Sequence, residues 1–472
     1  MRTIRVGNGC GFWGDNLDAP VQLAERGQLD YLTLEYLAEL TLSIMAHQRQ
    51  RNPAAGYATD FIDTLRRIAP LMREQPKLKI VTNAGGMNPG SCAAAARKVL
   101  DDAGLTDAQI AVVSGDDLLE RLPELVRAGH PFNHLDTGEP LEPILDRVVS
   151  ANAYLGAGPI VEGLAKRARI VITGRVADAS LTVAPAIHEF GWQPDDWPRI
   201  AGATVAGHLI ECGAQVTGGL YCKWPEVKDY DNIGYPIAVI ADNGSFLITK
   251  PPETGGLVNR ETVIEQLLYE IGDPTDYLTP DVRADFTTLA VNEMENCVPV
   301  TGASGRPPTD SYKVSIAYRD GYKASGMLAV YGAESVDGGN PVWLKAKHCG
   351  FIVLARLKQA NCRPERMGME VLGDRDFEFR RVLPDTTPVR SVTEAMGDRD
   401  PRERSPIMLR LAVHDPDRAV VERFCRELAP LVTSGPPGIA GYIEARPHPR
   451  EVLAYWPTLV PRASIQPSVE MV

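Results

Sequence analysis

Five short apolar segments, "TIRVGN", "DYLTLEY", "KLKIVTN", "QIAVVSG" and "ARIVITG", recur through the first 220 residues with helical stretches between them. This alternation constrains the fold more than any other feature of the chain. The segments are apolar on both faces, so both sides must be covered. The stretches between them, such as "FIDTLRRIAPLMREQ" and "AAAARKVLDDAG", are long enough for crossover helices. Two-sided burial with helical crossovers is the pattern of a parallel sheet between helix layers. Only five clear units occur. An open, Rossmann-like sheet is therefore expected rather than a closed barrel.

After about residue 220 the pattern changes. "IAVIADNGSFLITK" and "SYKVSIAYRDG" alternate β-branched and polar residues, and their "DNG" and "RDG" turns predict hairpins. Further on, "IMLRLAVHDPDRAVVERFCRELAPLVTSGPPGIAG" reads as a strand, a helix start at Asp-Pro-Asp, an amphipathic helix and a Gly-Pro loop, which is a βαβ unit. Polar "VTEAMGDRDPRERSP" reads as an exposed loop. The expected class is α/β, with a mostly parallel, helix-covered sheet followed by α+β regions. The expected division is a parallel-sheet domain over 1–220, an α+β region over 221–335 packed on it, and a C-terminal α+β domain over 336–472. A chain of 472 residues exceeds one typical core.

The net charge of −12, with no block of like charges, argues against a nucleic-acid partner, which needs a basic surface. No apolar run of about 18 residues occurs, so neither a transmembrane helix nor a membrane partner is expected. The opening "MRTIRVGNGCGFWGD" has no apolar core and no cleavage site, so no secretory signal is expected. The eight cysteines are scattered without a C-x-x-C pair. That is the pattern of reduced thiols in a cytoplasmic protein.

In open parallel sheets, ligands bind beyond the carboxyl ends of the strands. Here those ends carry Asn8 and Asp15, then Glu35, then Asn83, Gly85, Gly86 and Asn88 in "VTNAGGMNPG". The fourth end carries Ser114, Asp116 and Asp117, and the fifth Thr173, Gly174, Arg175 and Asp178. One such end is ordinary turn chemistry. Five on one edge point to a small-molecule site. Asp117, Glu35 and Asp15 are the candidate bases. The amides of Gly85 and Gly86, Asn83, Asn88, a helix start near Ser91 and Arg175 are candidate holders of an anion. Asp116 and Asp117 are candidate ligands of a divalent cation, with helix capping as the alternative for one of them. In "GHLIECGAQVTGG", helical spacing puts His208, Glu211 and Cys212 on one face, and Cys212 reads either as a nucleophile or as a small core residue. Phe12 and Trp13 crowd the first glycine-rich turn, which weakens a nicotinamide site, and no Gly-Lys-Ser/Thr P-loop occurs.

The stretches "GFWGDNLDAP", "VTNAGGMNP", "SGDD", "ANAYLGAGPIVEGL", "IVITGRVADASLTVAPAIHEFGW", "VAGHLIECGAQVTGG" and "PRASIQPSVEMV" give the chain a resemblance to the acyclic terpene utilisation protein A family over nearly its whole length. The resemblance implies a place in bacterial catabolism of acyclic terpenes or branched acyl-CoA compounds, and it assigns no catalytic residue. The leading expectation is an enzyme, a lyase or hydratase, acting on a branched carboxylate or its CoA thioester. A divalent cation is its candidate cofactor, and a second copy of the chain its candidate partner. The alternatives are a non-catalytic subunit or scaffold of an acyl-CoA carboxylase pathway and a small-molecule oxidoreductase.

Overall fold

The computed structural model describes residues 1–331, 342–372, 380–382, 407–442 and 446–472. They form two compact units, Met1–Tyr318 with Tyr455–Val472, and Arg319–Ala454. The polar stretch over 392–406 lies outside the described residues.

The first unit is built on a ten-stranded sheet. Its labelled strands are β1 (Thr3–Asn8), β2 (Tyr31–Leu34), β3 (Lys79–Thr82) and β4 (Ile110–Ser114); β5 (Val148–Ala153) pairs elsewhere, and β6 (Ile170–Thr173), β7 (Ile237–Ala241) and β8 (Phe246–Thr249) return to the sheet. The order across the sheet is Ala290–Val291, Val298–Thr301, β8, β7, β1, β2, β3, β6, β4, Ser468–Met471. The five strands expected from sequence form its parallel centre, β1-β2-β3-β6-β4. Antiparallel strands extend both edges. β7 and β8, joined at the "DNG" turn, thus belong to the same sheet as the first 220 residues, and so does the chain's last strand.

The two faces of the central strands separate as their period of two requires. Leu32, Leu34, Ile80, Ile110, Val112, Ile170 and Ile172 pack beneath α1 (Ala19–Arg26), α2 (Glu39–Arg51), α3 (Asp60–Glu74) and α4 (Pro89–Asp102). Tyr31, Val81, Ala111, Val113 and Val171 pack beneath α5 (Leu122–Arg127), α6 (Gly158–Ala165), α7 (Ser180–Phe190) and α8 (Trp197–Glu211). Amphipathic spacing explains the docking. In α3 the buried residues Phe61, Leu65, Ile68, Ala69 and Met72 recur at helical intervals. Each of the larger ones contributes about 1.5–3 kcal/mol by leaving water.

This covering creates a switch point. β3 feeds α4 on one face, while its neighbour β6 feeds α7 on the other. The two following loops lead to opposite faces, and the region between them beyond the strand ends is the candidate crevice, the usual ligand position in such sheets.

The "RDG" turn does not make a hairpin. Residues 311–330 form one continuous strand, and Gly321 takes φ +79° within it. The strand changes partner there. Val314–Tyr318 pair with β5, whereas Tyr322–Val330 pair with Ile407–Asp415. In the second unit, Ile407–Asp415 and Ile439–Tyr442 both lie antiparallel to that strand, so they run parallel with it between them, a split form of the expected βαβ unit. Helices Val342–Gln359 and Arg418–Cys425 contribute Trp343, Cys349 and Phe424 to its core.

Candidate functional site

Arg175, the second residue after β6, is the largest fully buried side chain among the described residues. Its Nη1 donates to the Leu37 carbonyl at 2.6 Å and lies 2.9 Å from Asp178 Oδ1 and 3.8 Å from Glu35 Oε1. The guanidinium stacks 4.2 Å from the centre of the Tyr154 ring, an added stabilisation for a buried cation. Its Nε is buried and makes no hydrogen bond.

Glu35, at the end of β2, is buried beside it. Oε1 accepts from the Leu37 amide at 3.0 Å and from Asn83 Nδ2. Oε2 is buried with no partner. Burial, then the nearby Asp178 charge, push the Glu35 carboxyl well above its ordinary range, against the pull of Arg175. Desolvation also raises Asp178, although 35% of its side chain is exposed. Glu39, the first residue of α2, goes the other way. Desolvation there is outweighed by the Tyr154 hydroxyl at 2.6 Å and by Arg175, which hold it down at about 2. Lys313 adds a cation 3.4 Å from the same oxygen. The Glu35 and Glu39 carboxyls are thus pushed in opposite directions, the separation that acid–base chemistry uses.

Asp116 is a buried strut rather than an open ligand. Its Oδ2 accepts from the Arg175 amide at 2.8 Å and from Asn152 Nδ2 at 2.9 Å, and burial pushes it up to about 6. Its carboxylate occupies the space a Cβ would need at Gly174. Asp117 turns outward. Oδ1 accepts from the Leu119 amide at 3.0 Å, and Oδ2 lies 3.2 Å from Arg49 Nη1. Arg49 also donates to the Met87 carbonyl at 2.7 Å, so it ties the third loop to the fourth. The two aspartates thus serve different partners. Among the described residues, no group of three or more His, Cys, Asp or Glu is arranged to hold a metal ion.

In "NAGGMNPG" the glycines answer to packing. A Cβ on Gly85 would stand 2.5 Å from the Thr173 carbonyl oxygen, and one on Gly86 would strike Met45 Sδ. The Gly86 amide, expected to be free, donates to the Asn83 carbonyl at 3.1 Å, because the tight turn at φ +50° closes on it. The Gly85 amide has no acceptor among the described residues. Asn83 accepts from the Tyr36 amide at 2.8 Å and fixes Glu35. Asn88 caps α4 by accepting from Ser91, and it holds the Pro53 and Ala55 carbonyls.

Other expected ligand contacts are likewise engaged internally. Asn8 donates to the carbonyls of Ile210 and Glu211 at 2.7 and 2.9 Å, which fastens β1 to the end of α8. Asp15 accepts from Tyr235 at 2.6 Å and from the Gly11 amide at 2.8 Å. Ser114 pairs with Ser468 across the edge strand, and the Thr173 hydroxyl donates to the Gly174 carbonyl. Residues 9–14 spell G-x-G-x-x-G, but α1 begins only at Ala19, so no helix end meets these glycines. Gly9 and Gly11 instead make room for Pro20 and for the Cys212 backbone. The Cys212 thiol is pushed far up by burial and by Glu211, which disfavours the thiolate a nucleophile needs.

Tyr154, Glu39, Lys313, Asn152 and Arg49 were not singled out in the sequence. Tyr154, Asn152 and Lys313 lie on or beside β5 and the long strand it pairs with, outside the five-strand pattern that directed attention to the strand ends.

The sequence matches the family model of the acyclic terpene utilisation family protein AtuA over residues 4–471, and the chain belongs to this family. No curated protein and no solved structure matches it.

Proposed function

We propose that the protein is a hydratase of acyclic terpene utilisation, acting on a branched α,β-unsaturated carboxylate or its CoA thioester. The observation that carries this reading is the buried pair of Arg175 and Glu35. Each has an unused hydrogen-bonding atom, Nε of the guanidinium and Oε2 of the carboxyl. Such groups are uncommon in folded interiors and call for an explanation, which here is a ligand that completes the set.

Arg175 supplies fixed positive charge for a carboxylate, or for the enolate oxygen that forms when a nucleophile adds at the β-carbon. Glu35, whose carboxyl burial pushes upward, supplies the proton that the α-carbon then takes. Membership of the acyclic terpene utilisation family supports a branched substrate.

The test is hydration of a panel of 3-methyl-branched 2-enoates and their CoA thioesters, followed by loss of the enoyl absorbance. The parent is expected to turn over at least one of them. Glu35→Gln keeps the shape and the Oε1 contacts but has no acid proton, and should lose roughly 100- to 10,000-fold in kcat. A folded Glu35→Gln variant with full turnover would overturn the reading.

A further inference from the structure

A second proton-handling pair borders the same loops. His208 lies on α8, is 2% exposed, and is flanked by the rings of Tyr277 and Phe286 at 5.5 and 5.6 Å. Its Nε2 lies 2.9 Å from the Gln266 carbonyl oxygen, and its Nδ1 lies 3.2 Å from Glu211 Oε1. A carbonyl can only accept, so Nε2 carries a hydrogen. In the neutral ring Nδ1 is then an acceptor. The contact with Glu211 therefore needs one proton, held either as a carboxylic acid facing a neutral ring or as a carboxylate facing an imidazolium. The pair holds a single mobile proton in a buried site.

The other oxygen of Glu211, Oε2, is buried and makes no hydrogen bond. It sits where the crevice loops meet α8. Asn8, at the end of β1, grips the Glu211 carbonyl, and Gly207, one turn earlier, packs against Ala179, the residue after Asp178. The charged and titratable groups facing Glu211 are His208, Asp178 and Glu270, with Cys212 and Tyr277 beside it. His208 is the one basic group among them. Burial, moderated by His208, brings the Glu211 carboxyl to about 7.

We propose that Glu211, backed by His208, is the general base of this crevice and the partner of Glu35 in the hydration. This rests on the hydratase reading. In the forward step, Glu211 takes one proton from a water molecule and the water oxygen bonds to the β-carbon. The electrons of the C=C bond move through the α-carbon to the carbonyl oxygen, where Arg175 meets the charge. The α-carbon then takes the Glu35 proton as the C=O bond re-forms. One water has been added, Glu211 holds a proton and Glu35 has lost one; exchange with solvent restores both. His208 acts through Glu211 and is a positioning residue.

Two measurements on the full chain test this. The first needs no substrate. With histidine labelled in nitrogen-15, the signal absent from His208→Gln should show the Nε2–H form. Its Nδ1 shift should move as Glu211 gives up its proton near pH 7. Glu211→Gln should abolish that movement. A His208 signal unchanged between about pH 5 and 8 in the parent would overturn the shared proton.

The second is the pH–rate profile. The parent's kcat should rise toward high pH with a midpoint near 7, as a base requires. Glu211→Gln should lose roughly 100-fold or more with little change in KM. Should that variant fail to fold, Glu211→Asp serves in its place and should shift the midpoint and lower kcat. An active parent whose Glu211 variants keep their kcat overturns the role of Glu211 and leaves the hydratase reading standing. A parent inactive on every enoate and thioester overturns that reading, and this role with it.

Discussion

Asp116→Asn isolates the cost of placing a carboxylate behind the crevice. Asp116 is 3% exposed, and its Oδ2 receives two hydrogen bonds, from the Arg175 amide and from Asn152. An amide oxygen can accept both. Burial holds the carboxyl at about 6, against an ordinary value of 3.8. Between those values the folded chain keeps a proton that the unfolded chain has lost. Stability therefore falls as pH rises through that window and stays lower above it. The full difference is about 3 kcal/mol, from the energy equivalent of a shift that large. Asparagine has no charge to bury. At pH 8 the variant should exceed the parent by up to about 3 kcal/mol, less about 1 kcal/mol if its NH₂ group finds no acceptor. In the melting of the first unit this is a rise of roughly 3–5 °C. Below about pH 4 the advantage should vanish, because Asp116 is then neutral in both states. Glu35, Asp178 and Asp281 are raised by burial too, so the parent's slope is shared among several groups and the difference between the two proteins is the quantity to follow. Calorimetry or urea unfolding from about pH 4 to 8 measures it. The reasoning fails if both proteins show the same slope, or if the variant is the weaker one at pH 8 and not at pH 4.

Two further outcomes follow from the same geometry. Gly86→Ala, at φ +50° with Met45 Sδ in the way, should cost about 2–4 kcal/mol, whereas Gly90→Ala, with nothing within 4 Å at the start of α4, should gain roughly 0.5–1 kcal/mol; paired urea curves decide it. Asp117→Asn should stay within about 1 kcal/mol of the parent, since its pair with Arg49 is exposed by 35% and 45%, and it should keep hydration within a few-fold; a loss matching that of Glu35→Gln would return the catalytic role to Asp117.

The parallel centre of the sheet was legible because its strands are apolar on both faces and its helices are amphipathic, and both patterns are local. The antiparallel edges were less so. β7 and Ser468–Met471 join strands that lie hundreds of residues away, and nothing in their own letters names a partner. "RDG" misled because Gly321 supplies a positive φ inside a strand that changes partner, the same backbone need that a hairpin turn has. Within the crevice, Glu35, Arg175 and Asp178 come together as their strand ends suggested. The asparagines and glycines of the third loop do not read the same way from sequence and from structure. Asn and Gly serve turns and ligands with the same chemistry, and only the contacts of Asn83, Asn88 and Gly86 separate the uses. Tyr154 and Lys313 could not be placed without knowing that β5 pairs with the long strand.

The polar pair at the switch point is not accounted for by folding. Glu35 Oε2 and Arg175 Nε are both buried and both unpaired, and an unmet buried polar atom costs about 1–3 kcal/mol. Two apolar side chains of similar volume would fill the space, and such replacements of buried ion pairs are often neutral or stabilising. The surrounding structure instead reinforces the polar choice. Asn83 fixes Glu35, Leu37 supplies both a carbonyl for Arg175 and an amide for Glu35, and Tyr154 covers the guanidinium face. A support this specific around an incompletely satisfied pair is what a preorganised site requires. The groups are held in place before the ligand arrives, so that little reorganisation remains when charge develops. On the proposed hydratase reading, the cost belongs to function. It predicts that a double substitution, Glu35→Leu with Arg175→Met, would raise the melting temperature of the folded protein while abolishing hydration. If that double variant were less stable than Glu35→Gln, the pair would have to be a structural element of the fold, and the case for a site at this switch point would fall with it.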